Sequence, residues 1–204
     1  MKYLITGLGN IGDDYLNTRH NIGFAILDAW ARASNVVFED RRYGAVTEIK
    51  YRGRTFRLLK PSTFVNRSGN AVNYWLKKEK IGQERLLVVV DDISLPFGSM
   101  RLKSKGGDGG HNGLSHINMI LGNGNYSRLR FGIGNDFPTG LQVNHVLGKL
   151  SQEEERILED RLDLAINIIK SFGTIGTELT MTRYNKEAKS LDNDAAKRRG
   201  SEDR

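Results

Sequence analysis

The chain has 204 residues, of which 38% are hydrophobic and 27% charged, as is typical of a folded globular protein. It contains no cysteine, which excludes disulfide bonds, thiolate metal sites and cysteine nucleophiles. The formal net charge of +7 favours a polyanionic partner without naming one. Because no apolar run is long enough to cross a membrane and the N-terminus lacks a signal-peptide pattern, we expect a cytoplasmic protein.

The basic excess lies in two stretches inside the chain. Residues 41–60 carry seven basic and one acidic side chain, and residues 99–135 carry five basic and one acidic side chain. The C-terminal residues 186–204 contribute a net charge of only +1. A basic patch within a folded body is typical of a nucleic-acid-binding surface, although a surface that only promotes solubility has the same composition.

Hydrophobic periodicity predicts strands that alternate with helices along the first half of the chain. Short apolar or alternating runs predict five strands, over residues 2–8, 36–39, 45–51, 55–59 and 86–90. Apolar residues at helical spacing predict one helix over 20–33 and another from a cap at Ser62 or Thr63 to about Lys78. Five consecutive aliphatic residues at 86–90 predict a central strand that is covered on both faces.

The alternation continues in the second half. Strands are predicted over residues 99–103, 128–133 and 142–146. Helices are predicted over residues 114–121, from a cap at Ser151 to about Phe172, and over 175–184. The pattern predicts a single α/β domain, residues 1–185. Residues 186–204 are polar and poor in apolar side chains, which predicts a tail without fixed structure.

A glycine motif follows the first predicted strand. Residues 7–12 match G-x-G-x-x-G, the pattern of a dinucleotide-binding loop, so a nicotinamide-dependent oxidoreductase is one alternative. Such a loop needs a helix that begins at the glycines and directs its N-terminus at the pyrophosphate. Here Asp13 and Asp14 follow directly and the helical spacing begins only near His20, so the sequence disfavours this alternative.

Two titratable residues stand at positions where catalytic groups are common. His20 begins the first predicted helix, and a neutral imidazole can accept a proton near neutral pH. Asp91 follows the central strand, where functional groups collect in α/β sheets, and can hold a histidine in one tautomer. A histidine at a helix start and an aspartate in a turn are also common without any chemistry, so the pair alone does not decide.

Polar and basic residues cluster elsewhere in the chain. Residues 106–113 include five glycines just before a predicted helix, so their N–H groups can hold an anion. Lys103 precedes this loop, and Arg128 and Arg130 share one face of a predicted strand. Asn66 falls in the first turn of the second predicted helix, where its amide can cap the helix or bind a substrate.

Several catalytic motifs are missing from the sequence. It contains no G-x-S-x-G elbow, no G-x-x-x-x-G-K-[ST] loop and no H-E-x-x-H motif, which disfavours serine hydrolases, P-loop NTPases and zincins. A His/Asp pair, several asparagines and a basic surface are what the chain offers. That set suits hydrolysis, by an activated water, of a substrate linked to nucleic acid.

Taken together, residues 2 to about 185 resemble the bacterial peptidyl-tRNA hydrolase family. Five blocks in order carry the resemblance: GLGNIGDDYLNTRHNIG (7–23), KPSTFVNRSG (60–69), VVVDDISLPFG (88–98), GGHNGL (109–114) and RLRFGIG (128–134). The resemblance implies cleavage of the ester that joins a peptide to the 3′ ribose of tRNA. It also implies a single phosphorylase/hydrolase-like α/β domain, with a mixed, mostly parallel, twisted sheet flanked by helices. No cofactor, no metal and a monomer are implied as well.

The resemblance also assigns roles to residues. The catalytic histidine of the family matches His20, and its supporting aspartate matches Asp91. The residues that match its substrate contacts are Asn10, Tyr15, Asn66 and Asn112. The pair that matches its tRNA phosphate clamp is Lys103 and Arg130.

Three positions depart from the usual family pattern. Ile11 stands where proline is common, Val65 where methionine is usual, and Ser94 where an aspartate is usual. Val65 is expected in the peptide groove, so the preference for peptide side chains is left open.

A second alternative is a non-catalytic RNA-binding relative, like the plastid splicing factors that resemble this family. The basic stretch 41–60 has no assigned role.

Overall fold

The computed structural model describes residues 1–185 and shows one seven-stranded sheet flanked by helices. The predicted tail, residues 186–204, lies outside the described residues. The strands are β1 (Lys2–Gly7), β2 (Glu39–Arg41), β3 (Gly44–Tyr51), β4 (Arg54–Pro61), β5 (Leu86–Asp92), β6 (Met100–Lys103) and β7 (Ser127–Gly132). Their order across the sheet is β2-β3-β4-β1-β5-β7-β6.

Six helices surround this sheet in the described part of the chain. They are α1 (Ile22–Ala33), α2 (Ser68–Glu79), α3 (Asn112–Leu121), α4 (Gln142–Val146), α5 (Gln152–Ile175) and α6 (177–185). Among the described residues, none of these helices combines the length and the apolar character needed to span a membrane.

The predicted mixed sheet is confirmed, but the expectation that it is mostly parallel is wrong, because three of its six strand pairings are parallel and three are antiparallel. Neighbouring strands in the central set β4, β1, β5 and β7 pair in parallel, whereas β2 with β3, β3 with β4, and β6 with β7 pair antiparallel. The four parallel strands therefore end at one edge, which we call the carboxyl edge. Because β3 is antiparallel to β4, the turn between β2 and β3 also lies at this edge, and the turn between β3 and β4 lies at the opposite one.

The core forms two layers, one on each face of the sheet. On one face, side chains of α1 and α5 pack against Leu87 and Val89 of β5. On the other face, side chains of α2 and α3 pack against Leu86, Val88 and Val90. All five side chains are buried, which confirms the prediction of a central strand covered on both faces.

The structure places the start of the second helix later than the sequence predicts. Strand β4 continues to Pro61, and the backbone N–H of Ser62 donates to the carbonyl of Tyr43, so Ser62 continues the contact with β3. A 3-10 turn at Val65–Arg67 then precedes α2, which begins at Ser68 without a side-chain cap. The predicted cap at Ser62 or Thr63 is therefore wrong.

The predicted strand at 142–146 is also wrong, because this segment forms helix α4. Val143, Val146 and Leu147 stand at i, i+3 and i+4, a spacing that places them on one helix face. The strand predicted over 36–39 exists instead at Glu39–Arg41.

The prediction for the long helix α5 is confirmed, including its first turn. The Oγ atom of Ser151 accepts from the N–H of Glu154, and the carboxylate of Glu154 accepts from the N–H of Ser151. This reciprocal capping box satisfies two N–H groups that the helix itself cannot pair.

The two outermost strands of the sheet, β2 and β6, are protected against pairing with a further strand. Strand β2 consists of three exposed charged residues. At the other edge, the side-chain amide of Asn185 donates to the carbonyl of Leu102 in β6 and accepts from its N–H. This contact ties the end of the described chain to the sheet.

The glycines after β1 permit a close backbone approach. A Cβ atom on Gly7 would lie 2.3 Å from the carbonyl oxygen of Gly23 in α1, and one on Gly23 would lie 2.5 Å from the carbonyl oxygen of Leu8. The loop therefore packs directly on the first turn of α1. This packing explains the glycine motif without a bound dinucleotide.

We expect Gly7→Ala to destabilise the protein by about 1–3 kcal/mol, because the added methyl group forces the β1 end away from α1. Urea unfolding followed by circular dichroism measures this loss. The matched control is Gly107→Ala, since a Cβ atom there has no neighbour within 4 Å. Equal unfolding midpoints for the two variants would contradict the close approach.

Candidate active site

A cleft of about 590 Å³ opens at the carboxyl edge of the sheet. Loops and helix starts that follow β1, β4 and β5 form its walls, together with the start of α3 and one face of α4. The predicted site residues that line it are Asn10, His20, Asn66, Asp91 and Asn112. The fold therefore brings together five residues that are up to 102 positions apart in the sequence.

His20 and Asp91 form a buried hydrogen-bonded pair on the floor of this cleft. His20 lies in a 3-10 turn, Arg19–Asn21, just before α1, and Asp91 lies near the end of β5. The Nδ1 atom of His20 is 3.0 Å from Oδ1 of Asp91. Because an ionised carboxylate only accepts, Nδ1 carries the proton and Nε2 is the basic nitrogen.

A second histidine, His111, binds the same carboxylate oxygen. Its Nε2 atom is 3.0 Å from Oδ1 of Asp91, and its Nδ1 atom accepts from the N–H groups of Gly113 and Leu114. His111 is thus a neutral Nε2–H tautomer that caps α3 and donates to Asp91. The sequence analysis missed this role; the available signal was a histidine, rather than serine or aspartate, at the predicted helix start.

The surroundings of Asp91 keep it ionised. Burial of the carboxyl group by itself raises its pKa, but the neighbouring His111 and His20 hold the pKa of Asp91 well below its usual range. A carboxylate in this state accepts from both imidazoles and stabilises positive charge on His20.

His20, Asp91 and His111 also offer the ligand types that bind transition metals, and the three ligand atoms lie within 4.8 Å of one another. In this structure, hydrogen bonds direct both imidazoles at the carboxylate. The expectation of a site without metal or cofactor stays a prediction.

Asn10 is held so that one donor faces the cleft. Its Oδ1 atom accepts from the N–H of Val65 at 2.9 Å, and its backbone exchanges two hydrogen bonds with the side chain of Asn21. The Nδ2 atom of Asn10 has no partner in the part of the chain that the structure describes. This amide is therefore available to a carbonyl oxygen of a substrate.

The other predicted substrate residues differ in position. Asn66 lies in the 3-10 turn before α2, Asn112 begins α3, and both are exposed to the cleft. Tyr15 lies in another 3-10 turn, Asp13–Tyr15, and is not among the residues that line the cleft. The structure thus brings the three asparagines together in the cleft, whereas Tyr15 lies outside the cleft. The predicted contact of Tyr15 with the substrate stays a prediction.

Apolar residues complete the cleft, and all of them except Val65 had no predicted role in the site. Val143 and Val146 of α4, with Leu147 directly after the helix, form one wall, and Phe64 and Val65 line the cleft beside Asn66. Phe64 and Val143 have large apolar side chains that are nevertheless exposed. These surfaces suit the methylene groups of a substrate rather than its charges.

Lys103 of β6 and Arg130 of β7 lie on the same face of the sheet. Their strands follow β5 in the sheet order, so both residues lie on the β5 side of the cleft. Their strands pair so that Lys103 faces Arg128, two residues from Arg130. Arg130 forms an ion pair with Asp92 and donates to Oγ of Ser94 at 3.1 Å. Part of the charge of Arg130 is therefore neutralised within the protein.

The glycine-rich loop is held by Arg128. The guanidinium of Arg128, only 2% exposed, donates to the carbonyls of Gly106, Gly107 and Gly124. The first N–H groups of α3 donate to His111. The N–H groups of Gly113 and Leu114 are therefore not free for an anion, and an anion site elsewhere in the loop stays a prediction.

Comparison with known proteins decides the family. The model of the family described as peptidyl-tRNA hydrolase matches residues 4–192. The chain belongs to the peptidyl-tRNA hydrolase family. It is 59% identical to the peptidyl-tRNA hydrolase of Phocaeicola vulgatus, over 92% of this chain and the full length of that protein. It is 50% identical to the one from Cytophaga hutchinsonii, over 91% of this chain and 98% of that protein.

Solved structures of this family share the fold. The crystal structure of peptidyl-tRNA hydrolase from Acinetobacter baumannii superposes with a TM-score of 0.83 at 34% identity, over 88% of this chain and 92% of that one. The fold also disagrees with the dinucleotide alternative. Helix α1 begins only at Ile22, and a 3-10 turn at Asp13–Tyr15 directly follows Gly12.

We expect His111→Ala to lower kcat at least tenfold, because Asp91 loses one of its two donors and no longer fixes His20 as firmly. Loss of this hydrogen bond to a buried charge should also cost about 1.5–3 kcal/mol in the free energy of unfolding. The control is His116→Ala, since His116 of α3 also accepts a backbone N–H, from Gly69, but lies outside the cleft. A matching fall in kcat for both variants would contradict a specific role of His111.

Proposed function

We propose that this chain hydrolyses the ester bond between the peptide and the 3′ ribose of peptidyl-tRNA by a water that His20 activates. The observation that carries the proposal is the His20–Asp91 pair, with Nε2 of His20 as the basic nitrogen in a cleft lined by three asparagines. The names and extent of the matched relatives support the same substrate.

In the first step, Nε2 of His20 takes a proton from the water as its oxygen attacks the ester carbonyl. Asp91 stabilises the imidazolium, an arrangement that supplies about 10²–10⁴-fold in rate. The tetrahedral intermediate then collapses and the bond to the ribose 3′ oxygen breaks. His20 returns its proton to this leaving oxygen, so the products are a free peptide and tRNA.

We expect the side-chain amide of Asn112, which lines the cleft, to stabilise the negative charge that develops on the carbonyl oxygen. The N–H groups of Gly113 and Leu114 already donate to His111, so the side-chain amide of Asn112 is the donor that α3 offers. One such donor contributes about 3 kcal/mol to transition-state stability.

Asn10 and Asn66 hold the peptide end of the substrate. Both present amides to the cleft, and amides recognise the peptide backbone regardless of side chain. Beside them, Val65 is shorter than the methionine that is usual in the family. We expect this change to leave room for larger side chains next to the ester.

Lys103 and Arg130 bind tRNA phosphate, which positions the substrate without reading its sequence. Arg130 already has the carboxylate partner Asp92. The aspartate usual at position 94 would give it a second, whereas Ser94 contributes only a hydroxyl. This substitution leaves more of the charge of Arg130 for phosphate.

The proposal includes the setting of the enzyme. We expect it to act as a monomer in the cytoplasm, without a cofactor and without a membrane, on peptidyl-tRNA released during translation. Tyr15 is expected to contact the substrate when it is bound.

We expect His20→Ala to abolish release of the peptide from N-acetyl-aminoacyl-tRNA, while the affinity for the uncleaved substrate survives. Single-turnover hydrolysis and filter binding measure the two properties. Turnover by His20→Ala would contradict the mechanism. Tight binding with no turnover by the wild type would instead support the RNA-binding alternative.

Replacing Lys103 and Arg130 together by glutamine should reduce the salt dependence of tRNA binding. The slope of log K against log salt is expected to fall by about 0.7–0.9 for each phosphate group that the variant no longer binds. The control is Arg52→Gln, a cation at the opposite edge of the sheet. An unchanged slope in the double variant would place the phosphate-binding residues elsewhere, with Arg41, Arg42 and Arg54 as the next candidates.

A further inference from the structure

The basic stretch 41–60 is divided by the fold into paired and unpaired cations. Arg41, Arg57 and Lys60 form ion pairs with Glu39, Glu48 and Asp28. Among the cations that form no ion pair in residues 1–185, Lys50 and Arg52 lie near the β3–β4 turn, whereas Arg42 lies in the β2–β3 turn at the carboxyl edge.

Arg42 belongs to a cluster that we call the basic–aromatic surface, formed by Arg42, Tyr43, Tyr74 and Lys78. The rings of Tyr43 and Tyr74 meet edge to face with centroids 5.4 Å apart. The guanidinium of Arg42 lies 5.3 Å and 5.4 Å from these two centroids. Nζ of Lys78 lies 5.6 Å from the centroid of Tyr74. Both cations are exposed, and neither forms an ion pair with the described residues.

The turn that carries Arg42 is fixed in place. Nε1 of Trp75 donates to the carbonyl of Arg42, and the N–H of Ser62 donates to the carbonyl of Tyr43. Tyr43 adopts a φ of +67°, an unfavourable conformation for an aromatic residue that the surrounding contacts must hold. The cations are thus presented by a rigid scaffold.

This surface begins close to the cleft, because Ser62, whose N–H donates to Tyr43, lies two residues before Phe64, which lines the cleft. Val65, which lines the cleft, belongs to the same hydrophobic cluster that Tyr43 and Tyr74 pack against. The surface lies on the β3 side of β1, and Lys103 and Arg130 lie on the β7 side. If tRNA phosphate occupies the β7 side, a peptide that passes Asn10 and Asn66 leaves toward Arg42.

We propose that the basic–aromatic surface binds acidic side chains of the nascent peptide, upstream of the ester. This inference rests on the proposed function. Arg42 covers the faces of both tyrosine rings, so the surface presents cations to a ligand rather than open rings for base stacking. A guanidinium held in this way is suited to bind a carboxylate through two hydrogen bonds.

The spacing of the sheet indicates which peptide residue reaches the surface. Strands lie about 4.8 Å apart, and β3 is three strands away from β5, where Asp91 marks the position of the ester, so the β2–β3 turn is roughly 15 Å from the ester. An extended peptide covers about 3.3 Å per residue, which places Arg42 near the fourth residue counted from the ester. Residues closer to the ester contact the cleft itself.

The test uses N-acetyl-pentapeptidyl-tRNAs that differ only at the fourth residue from the ester, as Asp, Asn or Lys. For the wild type, we expect kcat/KM for the Asp substrate to exceed that for the Asn substrate about two- to fivefold, the effect of one exposed ion pair. The Lys substrate should be the slowest. Arg42→Gln should remove this ratio, Arg42→Lys should keep part of it, and the control Arg52→Gln should keep all of it.

Other outcomes overturn specific claims. Equal kcat/KM for the Asp and Asn substrates with the wild-type enzyme would overturn the inference. An equal loss for all three substrates in Arg42→Gln, with weaker binding of deacylated tRNA, would also overturn it and assign the surface to RNA. If the wild type hydrolyses none of the substrates, the proposed function fails instead.

Discussion

The active cleft depends on one buried carboxylate that two imidazoles share. Asp91 is enclosed at the end of β5, where an unpaired charge would be strongly destabilising. His20 and His111 donate to the same oxygen, so the start of α1 and the start of α3 are both fixed to the central strand. The same contacts that stabilise the buried charge set the tautomer of His20 and make Nε2 its basic nitrogen.

The frame around this pair is set by backbone contact between β1 and α1. Gly7 and Gly23 let the two segments approach more closely than any side chain allows. The loop that follows carries Asn10, whose backbone is paired with Asn21 and whose side chain accepts from Val65. These hydrogen bonds hold the Asn10 amide in the cleft that also contains His20.

Charge is used in three different ways in this protein. Arg57 and Lys60 are neutralised by carboxylates, and Arg128 is buried against carbonyl groups as a structural residue. Among the described residues, exposed Arg42 and half-buried Lys103 form no ion pair, and they lie on opposite sides of the cleft. The proposed substrate has an anionic tRNA at one end and a peptide at the other. Two separate basic regions suit such a substrate better than a uniform basic surface would.

The sequence by itself determined the α/β alternation, the doubly buried β5, the capped helix α5 and most of the cleft. The α/β alternation, β5 and α5 follow from local periodicity and capping residues, which depend on neighbours in the chain, whereas the cleft residues were assigned through the motif blocks that resemble the peptidyl-tRNA hydrolase family. Only the tertiary structure decided that His111 joins Asp91, that α4 is a helix, that Tyr15 lies outside the cleft and that Arg128 is structural. Each of these depends on partners far apart in sequence. A histidine or arginine shows its role only when the groups that accept its protons are in place.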